Sequence, residues 1–300
     1  PPGGPYPYPP RALGRLGGVQ MGWFAWLVRV AAAAANANLF VVYLAQFWPA
    51  ANESGPRAMV LLLLFALLAA VNVRGVKSGA RVSDIFAVAK LVPIAIFVGI
   101  GMWAVGSQIH VGGTDATSGA WLQAVLPLIF AFGGFEVALM PMSEAKDPRR
   151  DAPFALFAGL AIVALVYVSV QLVFMGAMTD RATLDRPDVQ ERPVAEAARV
   201  FLGAGGAGMI AGGVMLSAYG NLAIQFVGAP RLVFALAEQR DFPRVLAHVH
   251  PRWRTPYLSI LLHAAFAAAF AIYGSFIWNA VLSAVARLGT YGLVCAAVPV

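Results

Sequence analysis

The sequence predicts an all-α fold, a polytopic bundle of membrane-spanning helices, and three observations carry that prediction. The 300 residues are 60% hydrophobic and only 12% charged, far more apolar than an ordinary soluble domain. Several separate apolar stretches reach the roughly 20 residues that a helix needs to cross a hydrocarbon core about 30 Å thick. The short segments of strict alternation that a membrane β-barrel requires are missing.

Hydropathy and punctuation place about eight spans, at 19–48, 57–73, 83–106, 120–143, 153–178, 206–237, 256–274 and 277–299. The opening PPGGPYPYPPRALG is neither a signal peptide nor a span, and the chain begins without methionine, which reads as a fragment. The short connections are rich in Gly, Pro and charge. With the N-terminal end placed in the cytoplasm, the cytoplasmic segments carry Arg11, Arg15, Arg74, Lys77, Arg81, Lys146, Arg149, Arg150, Arg240, Arg244, Arg252 and Arg254. The other side carries Arg57, Arg181, Arg186, Arg192 and Arg199. Twelve basic residues against five set the orientation.

The formal charge of +7 is therefore a topology signal, and no nucleic-acid partner follows from it. A single cysteine, Cys295, allows no internal disulfide. His248 and His250 have a spacing that metal sites use, but no further His or Cys stands near them, so no metal and no cofactor is expected.

One connection, 179–205, is long. Within it Pro193 opens, and Gly203 closes, a stretch that reads as a short helix, too short to span and placed on the outer surface as a passive loop or as a lid. Five charges fall at membrane depth: Arg29, Lys90, Glu136, Arg231 and Arg287. A charge there costs about 3 kcal/mol on insertion scales, so each needs a partner or a role. Arg231 is close enough to its helix end to snorkel.

The fourth span contains FAFGGFEVALMP, with Gly133 and Gly134 in succession between Pro127 and Pro141. Each glycine costs roughly 1 kcal/mol against alanine in a helix, so the stretch is built to unwind. Unwound backbone at membrane depth must be packed in protein or line a wet cavity, where free C=O groups take an ammonium and free N–H groups a carboxylate. The competing reading makes the glycines a close-packing contact between helices. Glu136 beside them has no place in a simple packing motif, although a structural carboxylate held by an arginine also fits.

FAFGGFEVALMPMSEAKDPRRDAPFAL resembles the broken sixth helix and following loop of amino acid permeases of the amino acid-polyamine-organocation superfamily. NVRGVKSGARVSDIFAVAKLVPI resembles the start of that family's fifth helix. SAYGNLAIQFVGAPRLVFALAEQRDFPRVLAHVHPRWRTP resembles its eighth helix and the loop beyond, and the N-terminal part is similar to the end of its second helix and its third. Asp147 stands where the family usually has asparagine.

The resemblance implies a LeuT-type five-plus-five inverted repeat, with the eight spans as the third to tenth helices and the first two helices absent. Residues 1–300 then form one transmembrane domain, with 19–106 the remainder of the first repeat and 120–300 the second. It implies no enzyme. It implies a secondary transporter that moves amino acids by alternating access in the plasma or bacterial inner membrane, with the bilayer, an amino acid and protons as its partners. Transport is expected to be proton-coupled or exchanging, and a polyamine or organic-cation transporter, or a non-transporting sensor, is the alternative.

Carried over by residue, substrate binding falls on Phe130, Ala131, Phe132, Gly133 and Gly134. Ion or proton coupling falls on Lys90, Glu136 and Asn221. Lys90 matches a lysine whose ammonium replaces sodium, though it is only about 9 Å along its helix from Asp84 at 1.5 Å per residue, so snorkelling competes. The part of the eighth helix near Asn221 lacks the paired hydroxyls of a sodium site. Arg29 and Arg287 form a candidate buried charge network, whether for substrate, for Glu136 or for bracing the bundle.

Overall fold

The computed structural model describes residues 8–75, 80–109, 118–135 and 147–297. The described residues form ten α-helices, a few short 3-10 turns and no strand: α1 (Tyr8–Leu44), α2 (Ser54–Arg74), α3 (Ala80–Val105), α4 (Ser118–Ala131), α5 (Pro148–Ala177), α6 (Arg181–Leu184), α7 (Pro187–Glu191), α8 (Pro193–Glu238), α9 (Tyr257–Tyr273) and α10 (Phe276–Ala297). Six of them are long and apolar enough to cross a membrane, and the apolar stretches of α4 and α9 are shorter. The eight spans read from hydropathy fall on helices, with α1 and α8 beginning well before the read bounds, at Tyr8 and Pro193, and with the helix of the fourth span stopping at Ala131. The protein is a multi-pass integral membrane protein.

Local chemistry sets the ends. Pro148 occupies the first turn of α5, where a missing N–H costs nothing, and Asp151 accepts from the Asp147 N–H at 3.3 Å. At the far end of α8 the chain reverses through Arg240, whose φ is +64°. Asp241 and Phe242 there donate to the Leu236 carbonyl at 2.9 and 3.2 Å. Arg15 completes this end from α1, bonding the Arg240 carbonyl and the Asp241 carboxylate at 3.1 and 3.2 Å.

Helical backbone runs almost unbroken from Pro193 to Glu238, but Gly203 has φ +65° and ψ −162°, so two helices meet there. The expected short helix before Gly203 is therefore present. Its alanines 195, 197 and 198 are buried with Tyr43, Phe97 and Val173, and the Phe201 ring packs at a tilt on Phe97, with centroids 5.5 Å apart. α7 joins it, with Glu191 accepting from Asn52. This segment is thus docked on α1, α3 and α5.

A second core joins α1, α2, α8 and α9. Ala31 to Ala35 are at most 4% exposed. In lipid there is little hydrophobic drive between helices, so small side chains that let backbones approach carry the packing. Glycines do the same elsewhere: a Cβ on Gly176 would lie 2.8 Å from the Val105 carbonyl, and one on Gly213 would lie 2.8 Å from Pro93. The outward faces reverse the soluble pattern. Trp103, Phe154, Phe157 and Leu165 are each more than two-thirds exposed, which suits a hydrocarbon surrounding.

Arg57, counted among the loop charges of the outer side, is half-buried and built into the bundle. It donates to Asn38 Oδ1 at 2.6 Å and to the carbonyls of Gly274 and Ala271 at 3.0 and 3.4 Å, while Asn38, 1% exposed, also donates to Gly274. A cation here meets the negative end of α9 and satisfies its free carbonyls.

Candidate functional site

α4 has 14 residues, about 21 Å of helix at 1.5 Å each, short of the roughly 30 Å core. Its last bonds tighten from Phe132 N–H to Leu128 O at 2.9 Å to a narrower turn, Gly133 N–H to Phe130 O at 3.1 Å. Gly134 follows with φ +105°, a backbone that side-chain-bearing residues rarely adopt. The helix therefore ends inside the apolar stretch.

Residues 132–134 form a turn. On either side of it Phe130 packs edge-on against Phe276 of α10, with centroids 6.1 Å apart, and Phe135 lies 6.0 Å from Tyr291.

The end of α4 is held from two sides. Tyr167 of α5 donates its hydroxyl to the Ala131 carbonyl at 2.9 Å and its ring packs on Phe132 at 5.1 Å. From α10, Arg287 lies against Gly133: a Cβ there would sit 2.3 Å from Cζ and 2.4 and 2.7 Å from the two terminal nitrogens. Arg287 is 7% exposed. Gly134 thus supplies a turn and Gly133 a close contact with Arg287. The carbonyls of Phe130 and Ala131 each already accept one hydrogen bond and keep a second lone pair.

The remaining expected residues are spread over the bundle. Lys90 is exposed on α3, three residues before the proline that packs on Gly213, and makes no ion pair or hydrogen bond among the described residues. Asn221 is exposed on α8. Glu136 lies outside the described residues. Arg29 is half-buried on α1, and Arg287 faces the break.

Sequence reasoning missed Tyr167, whose hydroxyl is one polar atom in an apolar helix, and His263. His263 is fully buried against the Phe226 ring at 5.1 Å, and neither ring nitrogen has a hydrogen-bond partner among the described residues. A histidine in an apolar span was the available signal. His248 and His250 are engaged locally, His248 with the Val245 carbonyl and His250 stacked on Trp253 at 4.3 Å. No group of three or more His, Cys, Asp or Glu that could hold a metal occurs among the described residues.

Comparison with known proteins agrees with this architecture. The chain is 27% identical to the serine/threonine exchanger SteT of Bacillus subtilis (strain 168), over 88% of the chain and 60% of that protein. It is 26% identical to the low-affinity putrescine importer PlaP of Escherichia coli (strain K12), over 88% of the chain and 59% of the importer. It is 28% identical to the large neutral amino acids transporter small subunit 2 of Mus musculus, over 86% of the chain and 50% of that protein. The chain thus spans three-fifths or less of the length of these curated relatives. The family model for amino acid permeases matches residues 2–298, and the chain belongs to that family of membrane transporters.

Proposed function

We propose that the complete protein is a secondary transporter that moves amino acids across the cytoplasmic membrane by alternating access, with the N-terminal end of this chain on the cytoplasmic side. The observation that carries the reading is the interruption of α4 at residues 132–135, within the apolar stretch and held between Tyr167 and Arg287. A helix end at membrane depth is a polar site that lipid cannot satisfy. In a transporter family, such an end serves a substrate with both ammonium and carboxylate groups.

In this reading Phe130, Ala131, Phe132, Gly133 and Gly134 line the substrate site, and 19–106 and 120–300 belong to two inverted repeats. Lys90, Glu136 and Asn221 carry coupling, which is to protons or to a counter-substrate. Lys90 supports it as an exposed cation on α3 with no partner among the described residues. The relatives include an exchanger and a putrescine importer, so transport of a polyamine or another organic cation is the second reading. A sensor without flux is the third.

The test is uptake of labelled amino acids and of putrescine into proteoliposomes holding the full-length protein, with and without an imposed pH gradient, for wild type and Lys90→Ala. Saturable amino acid uptake that follows the gradient and fails in the variant supports the whole reading. Uptake indifferent to both leaves the transporter and removes the coupling role of Lys90. Putrescine uptake alone selects the second reading, and absence of all flux the third.

A further inference from the structure

We propose that a cavity where α2, α8 and the start of α9 meet binds a phosphate anion, presented by the headgroup of an anionic membrane lipid. The inference is independent of the substrate that the α4 break serves.

The cavity has a volume of about 180 Å³, and its lining includes Asn72 and Gly75 at the end of α2, Pro230 and Arg231 on α8, and Arg254 and Thr255 just before α9. One water needs about 10–15 Å³, so a phosphate group fits. Two guanidiniums border this small space, and among the described residues no Asp or Glu does. Neither guanidinium has an ion pair or a hydrogen bond among the described residues. Two like charges on one cavity repel, and an anion between them turns that repulsion into attraction. The planar fork of each arginine matches phosphate oxygens through paired hydrogen bonds.

The rest of the lining favours an anion as well. Helix α2 ends at the cavity, but its carbonyls at Leu68, Asn72 and Val73 are already bonded, by Asn72 Nδ2 at 2.8 Å, the Gly75 N–H at 3.1 Å and the Thr255 hydroxyl at 2.6 Å. Asn72 Nδ2 keeps a second N–H to donate. Helix α9 starts at Tyr257, so the positive end of a 17-residue helix adjoins the same space. The Arg254 backbone is fixed: its φ is +51°, its N–H donates to the His250 carbonyl at 2.9 Å, and the His250 N–H donates to the Thr255 carbonyl at 2.8 Å. Through Thr255 this loop is tied to α2, which sets Arg254 at the cavity before any ligand arrives.

The surroundings select a lipid as the source of the phosphate. Leu67, Val71 and Ile224 are exposed apolar side chains on α2 and α8, within two helical turns of the cavity, and they offer an acyl chain a surface that a soluble anion would not use. Arg231 follows a long apolar run near the end of α8, the position from which an arginine reaches headgroup level. In the orientation proposed above this is the cytoplasmic leaflet, where anionic lipid is concentrated.

The test titrates the purified full-length protein in detergent, at constant ionic strength, with phosphatidylglycerol, phosphatidylcholine or inorganic phosphate, and reads the apparent thermal midpoint. The variants are Arg231→Gln with Arg254→Gln, Arg254→Gln alone, and Arg252→Gln, an exposed arginine on the same loop that does not line the cavity. Phosphatidylglycerol is expected to raise the wild-type midpoint saturably and phosphatidylcholine to leave it unchanged. The double variant is expected to need at least tenfold more phosphatidylglycerol for half the effect, and Arg252→Gln to stay within twofold of wild type.

Equal weakening by Arg252→Gln and by the double variant overturns the inference, because it means attraction to surface charge at large, and so does a phosphatidylglycerol effect that survives in the double variant. A shift by inorganic phosphate as large as that by the lipid, lost in the double variant, keeps the phosphate site and overturns the lipid as its source. If the double variant does not fold, Arg254→Gln decides: a threefold or greater weakening supports the site, and wild-type behaviour overturns it.

Discussion

The contact between Gly133 and Arg287 gives the sharpest structural prediction, because it separates two reasons for a glycine that usually travel together. Alanine at 133 would place its Cβ 2.3 Å from the guanidinium carbon and 2.4 Å from one terminal nitrogen. Real side chains do not tolerate contacts below about 3 Å, so the arginine must move by most of an ångström. It is 7% exposed, so it has few places to go. Overpacking of this kind costs about 1–3 kcal/mol. Alanine at 134 meets open space and suffers only from its φ of +105°, a strain of roughly 1–2 kcal/mol.

A double-mutant cycle distinguishes the two. The assay is the apparent thermal midpoint of the full-length protein in detergent, scanned at one fixed rate because membrane proteins unfold irreversibly. Gly133→Ala is expected to destabilise strongly in wild type and hardly at all once Arg287 is replaced by alanine, a coupling of about 1–3 kcal/mol. Gly134→Ala is expected to cost the same in both backgrounds. Equal destabilisation by Gly133→Ala with and without the arginine would refute the contact as the reason for that glycine.

Other outcomes follow from the same packing. Tyr167→Phe removes the bond to the Ala131 carbonyl and should lower stability by about 0.5–1.5 kcal/mol in the same thermal assay, with a rise in KM for uptake because the freed carbonyl shifts the site. Arg57→Gln strips Asn38 and the end of α9 of their cation; a loss of about 1.5–3 kcal/mol is expected, and Arg57→Lys should recover only part of it. Gly176→Ala meets a backbone carbonyl that cannot yield, so it should cost more in thermal midpoint than Gly22→Ala, which meets the flexible end of Leu236. Asp188, hydrogen-bonded by the Arg186 guanidinium, has its carboxyl held below the ordinary carboxylate value. Its contribution is present above that ordinary value and is lost as pH falls through the lowered one. Carboxyl NMR titration should show its pKa rising in Arg186→Gln, and at high salt in wild type.

The spans were legible because hydropathy over 20 residues is a strong signal and lipid leaves few other solutions. The break was legible as well, since Gly133, Gly134 and the flanking prolines weaken a helix by their own chemistry. Gly203 likewise marked the joint that the chain makes before the final run of α8. What could not be read was who stands opposite. Arg287 and Tyr167 reach the α4 end from helices far along the chain, and nothing local in either helix encodes the meeting. Arg57 was assigned to a loop by counting charges, a rule that orients the chain and says nothing about whether a given arginine is built into the bundle. His263 went unremarked because one polar residue in an apolar span has no period and no motif.

The central claim is that the interrupted end of α4 is where substrate binds. The most direct measurement is substrate protection of a single cysteine at Gly134, in a full-length protein cleared of other cysteines, against a water-soluble thiol reagent in proteoliposomes. The account predicts that a transported amino acid slows labelling with half-protection at the concentration that half-saturates uptake. Labelling that proceeds at the same rate while the amino acid is taken up normally would contradict it.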